Sequence, residues 1–123
     1  LDELLIGLPG AAVLNGREVR TSTCTTIGEA RLSTTDPYLF EGNEAEAFAR
    51  VRRSVRLTRY GLDALAYARL AAGHLDLVIE NSLKTHDWAA LVPVVRGAGG
   101  VVGNWQGGSD LSAGSIVAAA TPA

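Results

Sequence analysis

The stretch Leu75–Trp105, LDLVIENSLKTHDWAALVPVVRGAGGVVGNW, constrains this chain more than any other. It opens on an apolar run, LDLVI, that reads as a buried strand and ends in an acid, Glu80. A second acid, Asp87, can cap an apolar helix running from Trp88 to about Arg96. Pro93 falls inside that helix, where it removes one hydrogen bond and should bend it. Gly97, Gly99 and Gly100 stop the helix, and Val101-Val102 begins another strand. Strands and helices alternating at this spacing need a sheet with helices packed on it.

The remaining segments continue the alternation. Leu4–Gly7 is a short apolar run, Pro9-Gly10 marks a turn, and Ala12–Leu14 leads into Asn15-Gly16 and then Arg17–Arg20. Asn-Gly between two such runs signals a hairpin, because its primed turn needs positive φ at both central residues. Thr21–Thr26 reads as a loop or an edge strand, and Ala30–Thr34 as a strand. Asp36-Pro37 marks a break. Asn43 can cap a helix over Glu44–Arg53, with acids in its first turn and arginines near its end. A short strand over Val55–Thr58 and a helix over Gly61–Ala72 follow, the latter capped by Gly73. Ile116–Ala120 is the last strand. The fold class is α/β, a layered αβα arrangement.

Composition narrows the function classes. The 123 residues make one domain or one piece of a larger one. With 47% hydrophobic and 20% charged residues the chain is globular, and a net charge of −2 offers no field for nucleic acid or anionic lipid. No apolar run approaches the ~20 residues that span a bilayer. The N-terminal Leu1-Asp2-Glu3-Leu4-Leu5-Ile6 is acidic and then apolar, unlike a signal peptide. A single cysteine, Cys24, rules out an internal disulfide and fits a cytoplasmic, reducing compartment.

Several features have plain structural readings. An Asp at a helix start is most often a cap, although an ionised carboxylate at the rim of a sheet also suits a hard cation. His74 and His86 are too few for a zinc site, and Cys24 has no His partner in sequence. His86 beside Asp87 could orient it. Arg50, Arg52, Arg53, Arg56 and Arg59 straddle a helix and a strand, and read as a solvated, salt-bridged face or a subunit contact. The glycine-rich stretch at 97–100 follows a helix, whereas phosphate-cradling loops precede one.

Resemblance adds to this. His86-Asp87-Trp88-Ala89-Ala90 followed by Ala98-Gly99-Gly100-Val101 resembles the second signature of the inositol monophosphatase superfamily. Arg59-Tyr60-Gly61-Leu62-Asp63, Ala66-Tyr67, Asp76–Glu80, Leu83-Lys84 and Leu91–Val95 are similar to its histidinol-phosphatase branch, as are Leu14–Arg17 and Leu32–Thr35. The resemblance runs over nearly the whole chain and is strongest from Arg59 to Gly108. It implies the C-terminal half of that fold, a layered half-domain with a mixed sheet.

It also implies a function. The family's activity is Mg²⁺-dependent phosphomonoester hydrolysis, in which metal-activated water attacks phosphorus in line and a second metal stabilises the leaving alkoxide. By resemblance Asp87 is a ligand of catalytic Mg²⁺, and Glu80 faces the leaving alcohol. Asp63 contacts the substrate, suiting the cationic groups of histidinol, and Arg59 is a candidate for phosphate or for structure. Histidinol phosphate, within histidine biosynthesis, is the expected substrate; inositol phosphate or another small sugar phosphate is the alternative. Thr85-His86 and Gly103-Asn104 depart from the branch and could alter local loops. The superfamily's Asp-Pro-x-Asp-Gly-Thr motif is absent, and Asp36-Pro37-Tyr38-Leu39 only starts like it. The chain therefore reads as the C-terminal portion, residues 1–123, of a phosphatase whose catalytic first half lies elsewhere. Two non-catalytic roles compete for the segment alone, folding and oligomerisation. Apolar faces around Leu4–Ile6 and Trp88–Val95 should then be exposed and favour a homo-oligomer.

Overall fold

A computed structural model describes residues 3–122. The chain begins with an antiparallel meander of β1 (Leu5–Leu8), β2 (Ala11–Leu14) and β3 (Arg17–Val19). The hairpin forms where Asn15-Gly16 predicts it, with φ of 51° and 79° at these residues. Then follow β4 (Arg31–Thr34), α1 (Asn43–Ser54), β5 (Leu57–Tyr60), α2 (Ala64–Ala71) and β6 (Leu77–Glu80). The chain ends with α3 (Thr85–Trp88), α4 (Leu91–Gly97), β7 (Val101–Gly103) and β8 (Ile116–Ala119).

The five later strands form one mixed sheet in the order β5-β4-β6-β8-β7. β4 runs parallel to β5 and β6, while β8 is antiparallel to β6 and β7. Side chains along β6 alternate between two cores. Val78 points to the face that α2 and α4 cover, among Ala66, Leu70, Val95 and Ile116. Leu77 and Ile79 join Leu32, Phe40, Phe48 and Trp105 on the α1 face. This is the α, β, α layering expected, in a mixed α/β fold. The small sheet adds a fourth layer outside α4, where Ala12 meets Val94 and Ala98. Its approach is close: a Cβ on Gly97 would lie 2.1 Å from the Ala11 carbonyl oxygen, so that helix position requires glycine.

Element edges differ from expectation for identifiable reasons. Gly42, at φ 55°, precedes α1, and Asn43 is already helical rather than its cap. α2 starts at Ala64 rather than Gly61, because Asp63 turns the chain at φ 49°. Val55 closes α1 instead of opening a strand, which shifts β5 to Leu57–Tyr60. The helix expected over Trp88–Arg96 is two helices. Pro93 has no N–H for the carbonyl four residues back, at Ala89, and the chain breaks there instead of bending. Pro93 then sits in the first turn of α4, where it lacks nothing. α3 begins at Thr85 behind Lys84, so Asp87 is its third residue and not the N-cap, and its carboxylate accepts from the Lys84 N–H.

The surface expectation holds in part. Leu4, Ile6 and Leu8 are 65%, 45% and 47% exposed. Val92 and Val95 are buried against α2 and the large sheet, and Val94 is buried under the small sheet on the other side of α4. Arg50, Arg52, Arg53, Arg56 and Arg59 are exposed, and among the described residues none of them forms an ion pair, so the face is solvated but not salt-bridged. Asp36 accepts a hydrogen bond from the Tyr38 N–H at 2.9 Å, which makes Asp36-Pro37 the structural turn its sequence suggests. Asn104 organises the loop after β7, its Oδ1 accepting from the Gln106 and Gly108 N–H groups at 3.0 and 2.8 Å. Among the described residues no helix is long and apolar enough to cross a membrane.

Candidate active site

The carboxyl ends of β4, β5 and β6 lie at one edge of the large sheet. In sheets with parallel strands that edge is where connecting loops leave a crevice for ligands. Here the connections supply Thr35 after β4, Asp63 after β5, Glu80 at the end of β6 and Asp87 beyond it. All four line a single cleft of about 400 Å³, together with Tyr67 and Leu91. That volume suits a small molecule.

Glu80 is the best-fixed member, at 5% exposure. Leu32 and Ser33 pair in register with Leu77 and Val78. Continuing that register sets Thr35 beside Glu80. The Thr35 hydroxyl donates to Glu80 Oε1 at 2.8 Å, and the Thr35 N–H approaches Oε2 at 3.4 Å. From the other side of the sheet, Trp105 Nε1–H donates to the Glu80 carbonyl at 3.1 Å. Burial raises the pKa of Glu80 above its ordinary 4.5; the Thr35 bonds oppose the rise and the charge of Asp63 adds to it.

Asp63 is exposed, and its side chain makes no cap bond to α2, which leaves the carboxylate available to the cleft. Asp87 Oδ2 accepts from the Lys84 N–H at 2.8 Å, and its Oδ1 lies 3.4 Å from His86 Nε2. The Asp87 side chain is 40% exposed, so it opens to the cleft and is not buried among apolar neighbours. His86 stands beside it as the sequence suggested, largely solvent-exposed. Arg59 is exposed on β5 and does not line the cleft. The structure thus gathers Asp63, Glu80 and Asp87 and leaves Arg59 apart.

Thr35 and Tyr67 are among the lining residues that the sequence reading of the site did not name. Thr35 looks like one more threonine in a polar run, and only the pairing of β4 with β6 reveals its partner. Tyr67 reads as the large apolar residue of an alanine-rich helix, and its ring does belong to the core.

A hard-oxygen carboxylate open to solvent, as Asp87 presents, is the donor type that Mg²⁺ takes. Among the described residues, however, no group of three or more His, Cys, Asp or Glu side chains comes together to hold a metal. Asp87 fits as one ligand and does not complete a site.

The family model for inositol monophosphatases matches residues 6–123, and the chain belongs to the inositol monophosphatase family, a family of phosphatases. It is 45% identical over 122 residues to the bifunctional phosphatase IMPL2, chloroplastic, of Arabidopsis thaliana, covering 98% of this chain and 35% of that protein. It is 34% identical over 113 residues to an inositol-1-monophosphatase of Rhizobium meliloti (strain 1021), covering 88% of this chain and 42% of the relative. An inositol monophosphatase from Zymomonas mobilis superposes with a TM-score of 0.92 at 38% identity, over 98% of this chain and 49% of that one. The chain therefore spans between 35% and 49% of the length of these proteins.

Proposed function

We propose that residues 1–123 are the C-terminal portion of a Mg²⁺-dependent phosphomonoesterase that hydrolyses histidinol phosphate to histidinol and phosphate, a step of histidine biosynthesis. The observation that carries this reading is the convergence of Asp63, Glu80 and Asp87 on one cleft. Asp87 would hold Mg²⁺ together with ligands from outside these residues. When bound, the metal supplies charge neutralisation at phosphate and a reactive water. The chain's own residues handle the alcohol. Glu80, fixed by Thr35 and Trp105, presents acceptor oxygens to the leaving group. Asp63 presents an exposed carboxylate that complements a cationic alcohol better than a neutral polyol. Arg59 lies outside the lining and has no part in this reading. Inositol phosphate or another small sugar phosphate is the alternative substrate.

A second reading applies to the segment by itself. Because the described residues assemble no complete metal site, the 123 residues alone would fold or associate without turnover. The exposed Leu4, Ile6 and Leu8 favour a covering partner, either the remaining half of the protein or a second copy. The free thiol of Cys24 agrees with a cytoplasmic, reducing location.

The test is phosphate release from histidinol phosphate, inositol phosphate and a simple sugar phosphate, with and without Mg²⁺, by the full-length protein and by this segment. The full-length protein should be Mg²⁺-dependent and prefer histidinol phosphate, and the segment should be inactive. Preference for inositol phosphate would reject the substrate, no hydrolysis by the full-length protein would reject the activity, and turnover by the 12.8 kDa segment would reject its incompleteness.

A further inference from the structure

The polar groups around the cleft are unequally engaged. Asp63, Glu80 and Asp87 are acceptors when ionised. The donors beside them are mostly committed. Thr35 gives its hydroxyl hydrogen to Glu80, and Asn81 Nδ2 donates to the Leu39 carbonyl at 2.9 Å and to Glu44 at 3.3 Å. Ser82 is exposed to solvent, and among the buried side-chain donors that line the cleft Tyr67 is the exception. It lines the cleft at 3% exposure, and its hydroxyl is buried with no hydrogen-bond partner. Ser33 and Thr34 also carry buried, unpartnered hydroxyls, but neither lines the cleft. A buried hydroxyl without an acceptor is costly, so its presence at a ligand cleft calls for a partner.

We propose that Tyr67 is a specificity-determining residue of this cleft, its hydroxyl donating a hydrogen bond to an acceptor atom on the alcohol portion of the bound substrate. The inference rests on the phosphatase reading of the cleft and adds to it a donor among carboxylates. Burial, followed by the negative charges of Glu80 and Asp87, raises the pKa of Tyr67, so the group is a protonated donor at neutral pH. The substrate selected is then one that carries both donors, for Asp63 and Glu80, and an acceptor, for Tyr67. Amino alcohols and imidazole-bearing alcohols have this character.

The test compares full-length wild-type protein with Tyr67→Phe, which keeps the ring in the core and removes only the hydroxyl. In the ligand-free protein the thermal midpoint of Tyr67→Phe should be unchanged or higher, because an unpaired buried group is lost. Calorimetric titration in Mg²⁺ should show histidinol bound roughly three- to tenfold more weakly and inorganic phosphate bound equally. KM for histidinol phosphate should rise by the same factor, with kcat little changed. A lowered midpoint, or failure of the variant to fold, would show that the hydroxyl is already bonded inside the fold and overturn the proposal. Unchanged histidinol affinity would overturn it as well. If the wild type hydrolyses inositol phosphate instead, the same weakening measured with inositol supports Tyr67 while the substrate assignment falls. A wild type that binds neither alcohol overturns the role of Tyr67.

Discussion

Thr35 and Glu80 close the ends of two neighbouring parallel strands, with 2.8 Å between the threonine hydroxyl and the carboxylate. This pair holds a buried acid at the floor of the cleft in one orientation. Burial disfavours the charge and the hydroxyl favours it, and burial is the larger effect. An acid whose folded pKa is raised lends full stability below its unfolded value, and that stability is lost as pH rises through the folded value.

Replacing Thr35 by Val removes the group that offsets burial, so the folded pKa of Glu80 rises further. The expected result is a stability deficit that grows from about pH 4 to about pH 7 and reaches about 1–2 kcal/mol. Urea unfolding of both proteins at the two pH values measures it. An equal deficit at both would mean that the hydroxyl does not serve the ionised acid.

Asp76 works in the opposite direction, at the far end of the same strand. Its burial alone would raise its pKa. The Arg31 side chain at 2.9 Å, the Ser22 hydroxyl and the Arg31 N–H at 2.8 Å outweigh that and hold it below the ordinary 3.8. Its contribution is therefore present above pH 3.8 and lost as pH falls through the depressed folded value. Asp76→Asn should cost about 2 kcal/mol at neutral pH, discounted because the Arg31 side chain is 33% exposed. Acid unfolding of the variant should lack the loss of stability expected of the wild type below that pH.

The sequence carried much of this fold because its signals are local. Asn15-Gly16 forces a primed hairpin turn, and Gly73 and Gly99, at φ 87° and 101°, end helices where expected. Asp87 lines the cleft, but it is the third residue of α3 and not the residue that caps a helix from Trp88. What decides the difference is the start of α3 at Thr85, which makes Lys84 the N-cap. The burial of Val94 is not legible in the sequence because it depends on a separate small sheet docking on α4, on the side away from Val92 and Val95. Thr35 and Tyr67 were missed for the same physical reason: their roles exist only once strands 45 residues apart are paired and a helix is laid across them.

Asp63 should decide the substrate. In the full-length protein Asp63→Asn removes the charge facing a cationic alcohol while keeping the shape. KM for histidinol phosphate is expected to rise about tenfold, roughly the 1.4 kcal/mol of one charge-assisted contact. KM for inositol phosphate should change little. Equal losses on the two esters, measured by steady-state phosphate release, would remove Asp63 from specificity.

The central claim is that the half-exposed carboxylate of Asp87 is a ligand of the metal on which phosphate-ester hydrolysis depends. The most direct measurement is a Mg²⁺ titration of phosphatase activity and of metal binding by calorimetry, on full-length wild-type protein and Asp87→Asn. The account predicts a variant that folds normally, binds Mg²⁺ at least about tenfold more weakly and loses a factor of about 100 or more in kcat. A variant with wild-type Mg²⁺ affinity and turnover would contradict it.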